Sequence, residues 1–311
     1  MTRRILERLL ASLGVVLGAV TLIFLVLHWL PGDAATLIAG EGASAETVAQ
    51  LRAQIGDDQP LLARYVAYLA DVLRGDLGQS YLTREPVLAR LRAQFPATLQ
   101  LALFAGALAL AIGVALGVLS ARYRDTWIDG LIQLVSLTVV SVPVFWLGIL
   151  AILLFSVQLG WLPVLSDGGP ASLVLPVGCL GLWVSVPLLR VVRGGMLEGL
   201  SEPYVTTLRA KGLGERRVFF VHVLRNALIA GVTLLSVQVG ELLSGLVIVE
   251  TLFARQGVGR LAVDAIGQKD LPMVEGAILL ASVTYVFVNL LVDLSYAVID
   301  PRTRLAGAEA R

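Results

Sequence analysis

The sequence predicts an all-α integral membrane protein, and three observations carry that prediction. Of 311 residues, 57% are hydrophobic and only 15% are charged, against about 25% charged in a soluble domain. Mean hydropathy is +0.83. The apolar residues also gather into six runs, each long enough, or nearly so with its flanks, to cross a hydrocarbon core that takes about 20 helical residues. Backbone polar groups cannot stay unpaired in lipid, so the runs are helices and not open strands. The net charge of +1 sets up no field that would draw nucleic acid.

The first run is Leu9 to Leu30, preceded by Arg3, Arg4 and Arg8. It is too long for the apolar region of a signal peptide and ends in His28-Trp29-Leu30-Pro31, so it reads as a retained helix with an aromatic at its boundary. The second is Ala97 to Ala121, with Gly106, Gly113 and Gly117 suited to close helix packing. The third begins at Gly130 and holds Pro143, which with Ser136 and Ser141 can kink it. It ends near Gln158 or Gly160, before an interfacial turn at Trp161. The fourth is Ala171 to Leu189, bounded by Arg190. The fifth is Ala227 to Val249, interrupted by Glu241. The sixth runs from Gly276 to Ile299 and contains Asp293 near its end.

Lys and Arg in the loops set the orientation. With the N-terminus inside, the inner segments hold Arg122, Arg124, Arg190, Arg193, Arg209, Lys211, Arg216, Arg217 and Arg225. The outer cations, among them Arg255, Arg260 and Lys269, mostly fall in one long loop where charge counts weakly. Both termini are therefore expected in the cytoplasm. The outer loop, Pro31 to Pro96, predicts two surface helices. Ser44 can cap one starting at Ala45, and Pro60 can open another with Leu61, Leu62, Tyr65, Val66, Leu69, Val72 and Leu73 on its apolar side and Gly75 at its end. The expected division is 1–94 for the first helix and outer region, 95–299 for a five-helix core with an inner loop at 194–226, and 300–311 for a tail.

That inner loop is longer than a helix link requires. It reads as helix, break, helix, with Ser201 at an N-cap position, Glu202 and Pro203 in the first turn, and Gly212 just past the end. Tyr204, Val205 and Leu208 share one face. Such a short capped helix between two spans suits docking into a groove on a cytoplasmic partner, or alternatively lying on the inner leaflet held by Arg216 and Arg217.

Inside the membrane, Glu241 is expensive, so it must face a cavity, a bundle interior or a partner. It is read either as lining a translocation path, with Ser141 and Pro143 at the same pathway, or as a structural acid. There is no Gly-x-x-x-x-Gly-Lys-Ser/Thr phosphate loop, no His-Glu-x-x-His and no Gly-x-Ser-x-Gly. Cys179 is the one cysteine, and His28 and His222 fall on opposite sides in this topology, so no metal site and no catalytic group are expected.

The stretch Tyr204-Val205-Thr206-Thr207-Leu208-Arg209-Ala210-Lys211-Gly212-Leu213, followed by His222-Val223-Leu224-Arg225-Asn226-Ala227, resembles the inner loop of binding-protein-dependent ABC importer permeases of the peptide/nickel branch. Leu30-Pro31-Gly32-Asp33, Gly75-Asp76-Leu77-Gly78-Gln79-Ser80, Glu250-Thr251-Leu252-Phe253, Gly257-Val258-Gly259-Arg260 and Asp300-Pro301-Arg302-Thr303-Arg304 extend it from about residue 5 to 304. Thr206-Thr207-Leu208 stands where the family has Glu-Ala-Ala, and Ala230 where it often has Pro.

The resemblance implies a six-helix type I importer fold in a bacterial inner membrane. It implies pairing with a second homologous permease, two cytoplasmic ATPases that use ATP-Mg, and an external binding protein. Tyr204 to Leu213 is then the coupling segment, within a 201–214 helix. The cargo it implies is a di- or oligopeptide, with nickel or glutathione as the alternatives. The rival readings are an ATP-independent secondary transporter, disfavoured because no inverted repeat or paired intramembrane charge is visible, and an intramembrane enzyme, for which no nucleophile and base converge.

Overall fold

The computed structural model describes residues 2–29, 44–54, 60–164 and 169–299. Among these it is helical, with no strand beyond an isolated bridge between Gln79 and Pro86. The helices are α1 Thr2–Trp29, α2 Ala45–Gln54, α3 Leu61–Arg74, α4 Val87–Arg122, α5 Trp127–Ser141, α6 Val144–Ala151, α7 Ala171–Ser201, α8 Pro203–Ala210, α9 Glu215–Arg217, α10 Leu224–Leu252, α11 Val258–Gly267 and α12 Leu271–Ile299. Two wider π-helical stretches, Ile152–Gln158 and Val218–Val223, continue α6 and join α9 to α10.

Helices α4, α7 and α12 are each long and apolar enough to cross a membrane. α5 with α6 and its π extension passes the same test as one broken span, α1 holds a shorter apolar stretch, Leu10–Val26, and α10 is a 29-residue helix. The broken span differs from the expected kinked helix. Its halves, Trp127–Ser141 and Val144–Gln158, meet at 104°. The cause is local: Pro143 has no N–H to continue the ladder and holds Val142 in the extended region, at φ −98° and ψ 126°. Helix α7 also departs from the reading. It runs on past Arg190 to Ser201, through Pro176 and Pro187, so the first residues of the 194–226 loop are helix.

The chain forms two compact units. The first comprises residues 1–97 and 256–286. Its core holds Ile23, Val87, Leu91, Val258, Leu261, Met273 and Ala277. α3 ends at Gly75, whose φ of +78° lets the backbone N–H groups return to the last carbonyls, as the sequence predicts. The apolar side of α3 is split. Tyr65 packs at a tilt on Phe24 of α1 with centroids 5.3 Å apart, and Tyr68 stacks on the same ring at 5.6 Å, whereas Leu62 and Leu73 are 73% and 88% exposed. The Gly75–Ser80 motif forms a loop clasped to the start of α12. The Tyr81 N–H donates to Asp270 Oδ1 at 3.0 Å, and the buried Ser80 hydroxyl donates to the other carboxylate oxygen.

The second unit comprises residues 98–255 and 287–311. One cluster gathers Leu101, Ala105, Val144, Leu180, Leu246 and Phe253, and another gathers Leu188, Val192, Met196, Val205, Val218 and Val223. A Cβ on Gly113 or Gly117 would sit within about 3 Å of Leu188 or Leu189, whereas Gly106 has nothing within 4 Å. Close packing of α4 on α7 therefore uses two of the three glycines expected for it.

Candidate coupling helix and membrane path

Helix α8 is two turns long and is built from its ends inward. Pro203 occupies the first helical position, where its fixed φ suits the helix and its missing N–H costs nothing. Glu202, not Ser201, holds the N-cap position and makes no side-chain cap. Ser201 instead closes α7, its hydroxyl donating to the Glu198 carbonyl at 2.7 Å. At the other end Gly212 sits at φ +80°. The Leu213 N–H then reaches the Leu208 carbonyl at 3.2 Å and the Gly212 N–H reaches that of Arg209 at 2.9 Å. Only a residue without Cβ takes that left-handed conformation freely.

The apolar face of α8 is spent inside the chain. Val205 is fully buried among Met196, Val192, Val218 and Val223, with Tyr204, Leu208 and Leu213 packed around it. Asn226 donates an amide hydrogen to the Tyr204 hydroxyl at 3.3 Å. The Tyr204/Val205/Leu208 face is therefore a root that seats α8 on the end of α7 and the start of α10. The exposed face is made of Thr206, Thr207, Arg209, Ala210 and Lys211. Across the glycine turn, the Arg209 guanidinium grips Glu215 through Nε–Oε1 at 2.7 Å and Nη2–Oε2 at 3.1 Å. That bond holds the Glu215 carboxyl below the usual carboxylate range.

Two further features are not legible in the sequence. Asp129, at the start of α5 and only 5% exposed, accepts two hydrogen bonds from Arg193 of α7, at 3.0 and 2.7 Å. Ser120 of α4 donates to the same carboxylate. Arg193 reads in the sequence as a loop cation, and its place one turn beyond Arg190 on an unbroken helix is what turns it inward. Arg255, likewise read as a loop charge, is buried, and it donates to Gln100 Oε1 at 2.7 Å. Removal from water pulls its guanidinium pKa down.

The three candidate path residues lie on different elements, and no hydrogen bond joins them. Ser141 and Pro143 flank the 104° break, both exposed, with the Ser141 hydroxyl donating back to the Leu137 carbonyl at 2.8 Å. Glu241 is exposed in mid-α10. One turn before it, the buried Gln238 donates its amide to the Val184 carbonyl of α7 at 2.9 Å, which fixes the rotation of α10. Among the described residues no cluster of His, Cys, Asp and Glu could hold a metal ion.

Residues 113–305 match the family described as the binding-protein-dependent transport system inner membrane component, and residues 1–102 match its N-terminal companion. A protein of Brucella abortus (strain 2308), named as a peptide transport system permease protein, is 41% identical over 98% of this chain and 99% of its own length. The glutathione transport system permease protein of Salmonella typhimurium is 40% identical over 98% and 99%. Among solved structures, an inward-facing form of the MetNI methionine ABC transporter shares the fold, with a TM-score of 0.54 at 18% identity over 68% of this chain and 96% of that one.

Proposed function

Because the chain belongs to the family of binding-protein-dependent transport system inner membrane components, we propose that it takes up short peptides, with α8 as its contact to an ATPase. Membership makes it a multi-pass inner-membrane permease subunit of an ABC importer, a family that works with ATPases and a binding protein. The finer assignment is a pair of homologous permeases, of which this chain is one, above two ATPases. Both termini and α8 lie on the cytoplasmic side, and the 31–96 segment lies outside. ATP and Mg²⁺ bind the partners, and this chain catalyses nothing itself.

The single observation behind the coupling role is how α8 is held. Its apolar face is rooted between α7 and α10, and its polar face is left outward with Thr206, Thr207 and Ala210, small enough for close approach. A push on that face moves the ends of two spans. Cargo of the peptide class is supported by the names of the relatives in Brucella and Salmonella, glutathione itself being a tripeptide. Glu241 fits the path reading because a carboxylate exposed at mid-span needs polar surroundings that lipid does not offer.

The test replaces Thr207 or Ala210 by Trp. Both sites are exposed, so insertion and permease pairing should persist, while ATPase co-purification and peptide uptake fall at least about tenfold, the equivalent of 1.4 kcal/mol. Unchanged co-purification would remove α8 from the interface.

A further inference from the structure

A cleft of about 370 Å³ lies within the first unit, beside the starts of the apolar runs that begin at Ala97 and Gly276. Two stripes with the same helical spacing wall it: Leu88, Leu91, Arg92 and Phe95 of α4, and Gly276, Leu279, Leu280 and Val283 of α12. Both stripes advance by three, four and seven positions, so each is one continuous helix face. Val72 and Leu77 close the end nearest α3. The stripe on α12 reaches about 10 Å into the span at 1.5 Å per residue. Val283, at its deep end, is 47% exposed, so the cleft is open to its surroundings there.

Arg92 is the one charged group on the wall. It lies five positions before the uncharged run that begins at Ala97, which places it about 7–8 Å outside the hydrocarbon. It is exposed and makes no ion pair or hydrogen bond with a described residue. The neighbouring Arg90, by contrast, bonds Thr83 and lies 3.6 Å from Glu85. An apolar slot with an exposed guanidinium partway along its α4 wall, between Leu91 and Phe95, is complementary to one molecule class. That class has a phosphate at headgroup level and a hydrocarbon tail below.

We propose that this cleft holds a membrane glycerophospholipid, its phosphate on Arg92 and one acyl chain running inward past Phe95 along Leu279, Leu280 and Val283 of α12. The lipid would then be a fitted part of the first unit, filling a gap between the helices that neither side chain set closes. The inference needs only that α4 and α12 span the membrane, and it is independent of which solute is carried.

The experiment is native mass spectrometry of the purified permease in detergent, titrated with phosphatidylglycerol. Wild type should retain one lipid through delipidation. Arg92→Gln should bind it about tenfold more weakly, the scale of one charge-assisted hydrogen bond. Val283→Trp, which fills the deep end from an exposed position, should also lower occupancy, and Arg90→Gln, outside the cleft, should not. Retention equal to wild type in both Arg92→Gln and Val283→Trp would overturn the proposal. So would a cross-link from Val283→Cys, in a Cys179→Ala background, to a second permease chain in membranes, since a protein helix would then occupy the slot.

Discussion

Gly212 shows how far one backbone angle can reach. Its φ of +80° lets Leu213 and Gly212 return their N–H groups to the last carbonyls of α8, and an L side chain pays roughly 1 kcal/mol or more there. Gly212→Ala is expected to leave the spans intact, fray α8 and lower substrate-stimulated ATPase activity of the reconstituted complex. Activity equal to wild type would mean that the turn does not set the coupling geometry. The Arg209–Glu215 grip across the same turn has a definite pH signature. The Glu215 carboxyl titrates below its unfolded range, so the stabilisation is fully present above about pH 4.5 and is lost as pH falls through the depressed value. Hydrogen exchange at residues 212–214, corrected for the intrinsic rate at each pH, should therefore be unchanged between pH 6 and 8 and should rise below about pH 4.5. Glu215→Gln should remove that rise, and because both groups are exposed, salt should weaken the grip.

Among elements, the broken pass and the α7–α10 junction are the most open to test. Pro143→Ala restores an N–H at the 104° break. It is expected to reduce uptake while ATPase co-purification stays at the wild-type level, measured on the same membranes. At the junction, a Cβ on Gly199 would already lie 3.0 Å from Val223 Cγ1. Gly199→Leu should overpack the root of α8 and cost about 1–3 kcal/mol, read as a fall in the thermal midpoint of the detergent-solubilised permease.

These elements also show what the sequence could and could not tell. The helical passes were legible because apolar length is a one-dimensional signal, and α3 with its Gly75 stop was legible from turn chemistry. The angle at Pro143 was not, since proline forbids a hydrogen bond without dictating the direction the chain then takes. The seating of Val205 was hidden for a different reason. An apolar stripe records that a face is covered, and the covering surface here comes from residues 188–196 and 218–227, on either side of it in the chain. Asp129 with Arg193 needed the knowledge that α7 runs unbroken to Ser201.

At the scale of the molecule, the division of labour is sharp. The chain has apolar spans and a short helix α8 rooted on two of them, and its sequence holds no Gly-x-x-x-x-Gly-Lys-Ser/Thr phosphate loop. Reconstituted into vesicles without ATPase subunits, it should accumulate no peptide against a gradient. Adding the two ATPases, a homologous permease and the binding protein should restore accumulation that stops when ATP is withheld. Accumulation by the isolated chain driven by a proton gradient would instead favour a stand-alone secondary transporter.

The wide turn at Val218–Val223 lies directly between α9 and the long α10. A π-helical turn holds a surplus residue relative to the α-helical ladder. That residue offsets the helical phase of α10 from that of α9, so which side chains of α10 meet α7 is set at this turn.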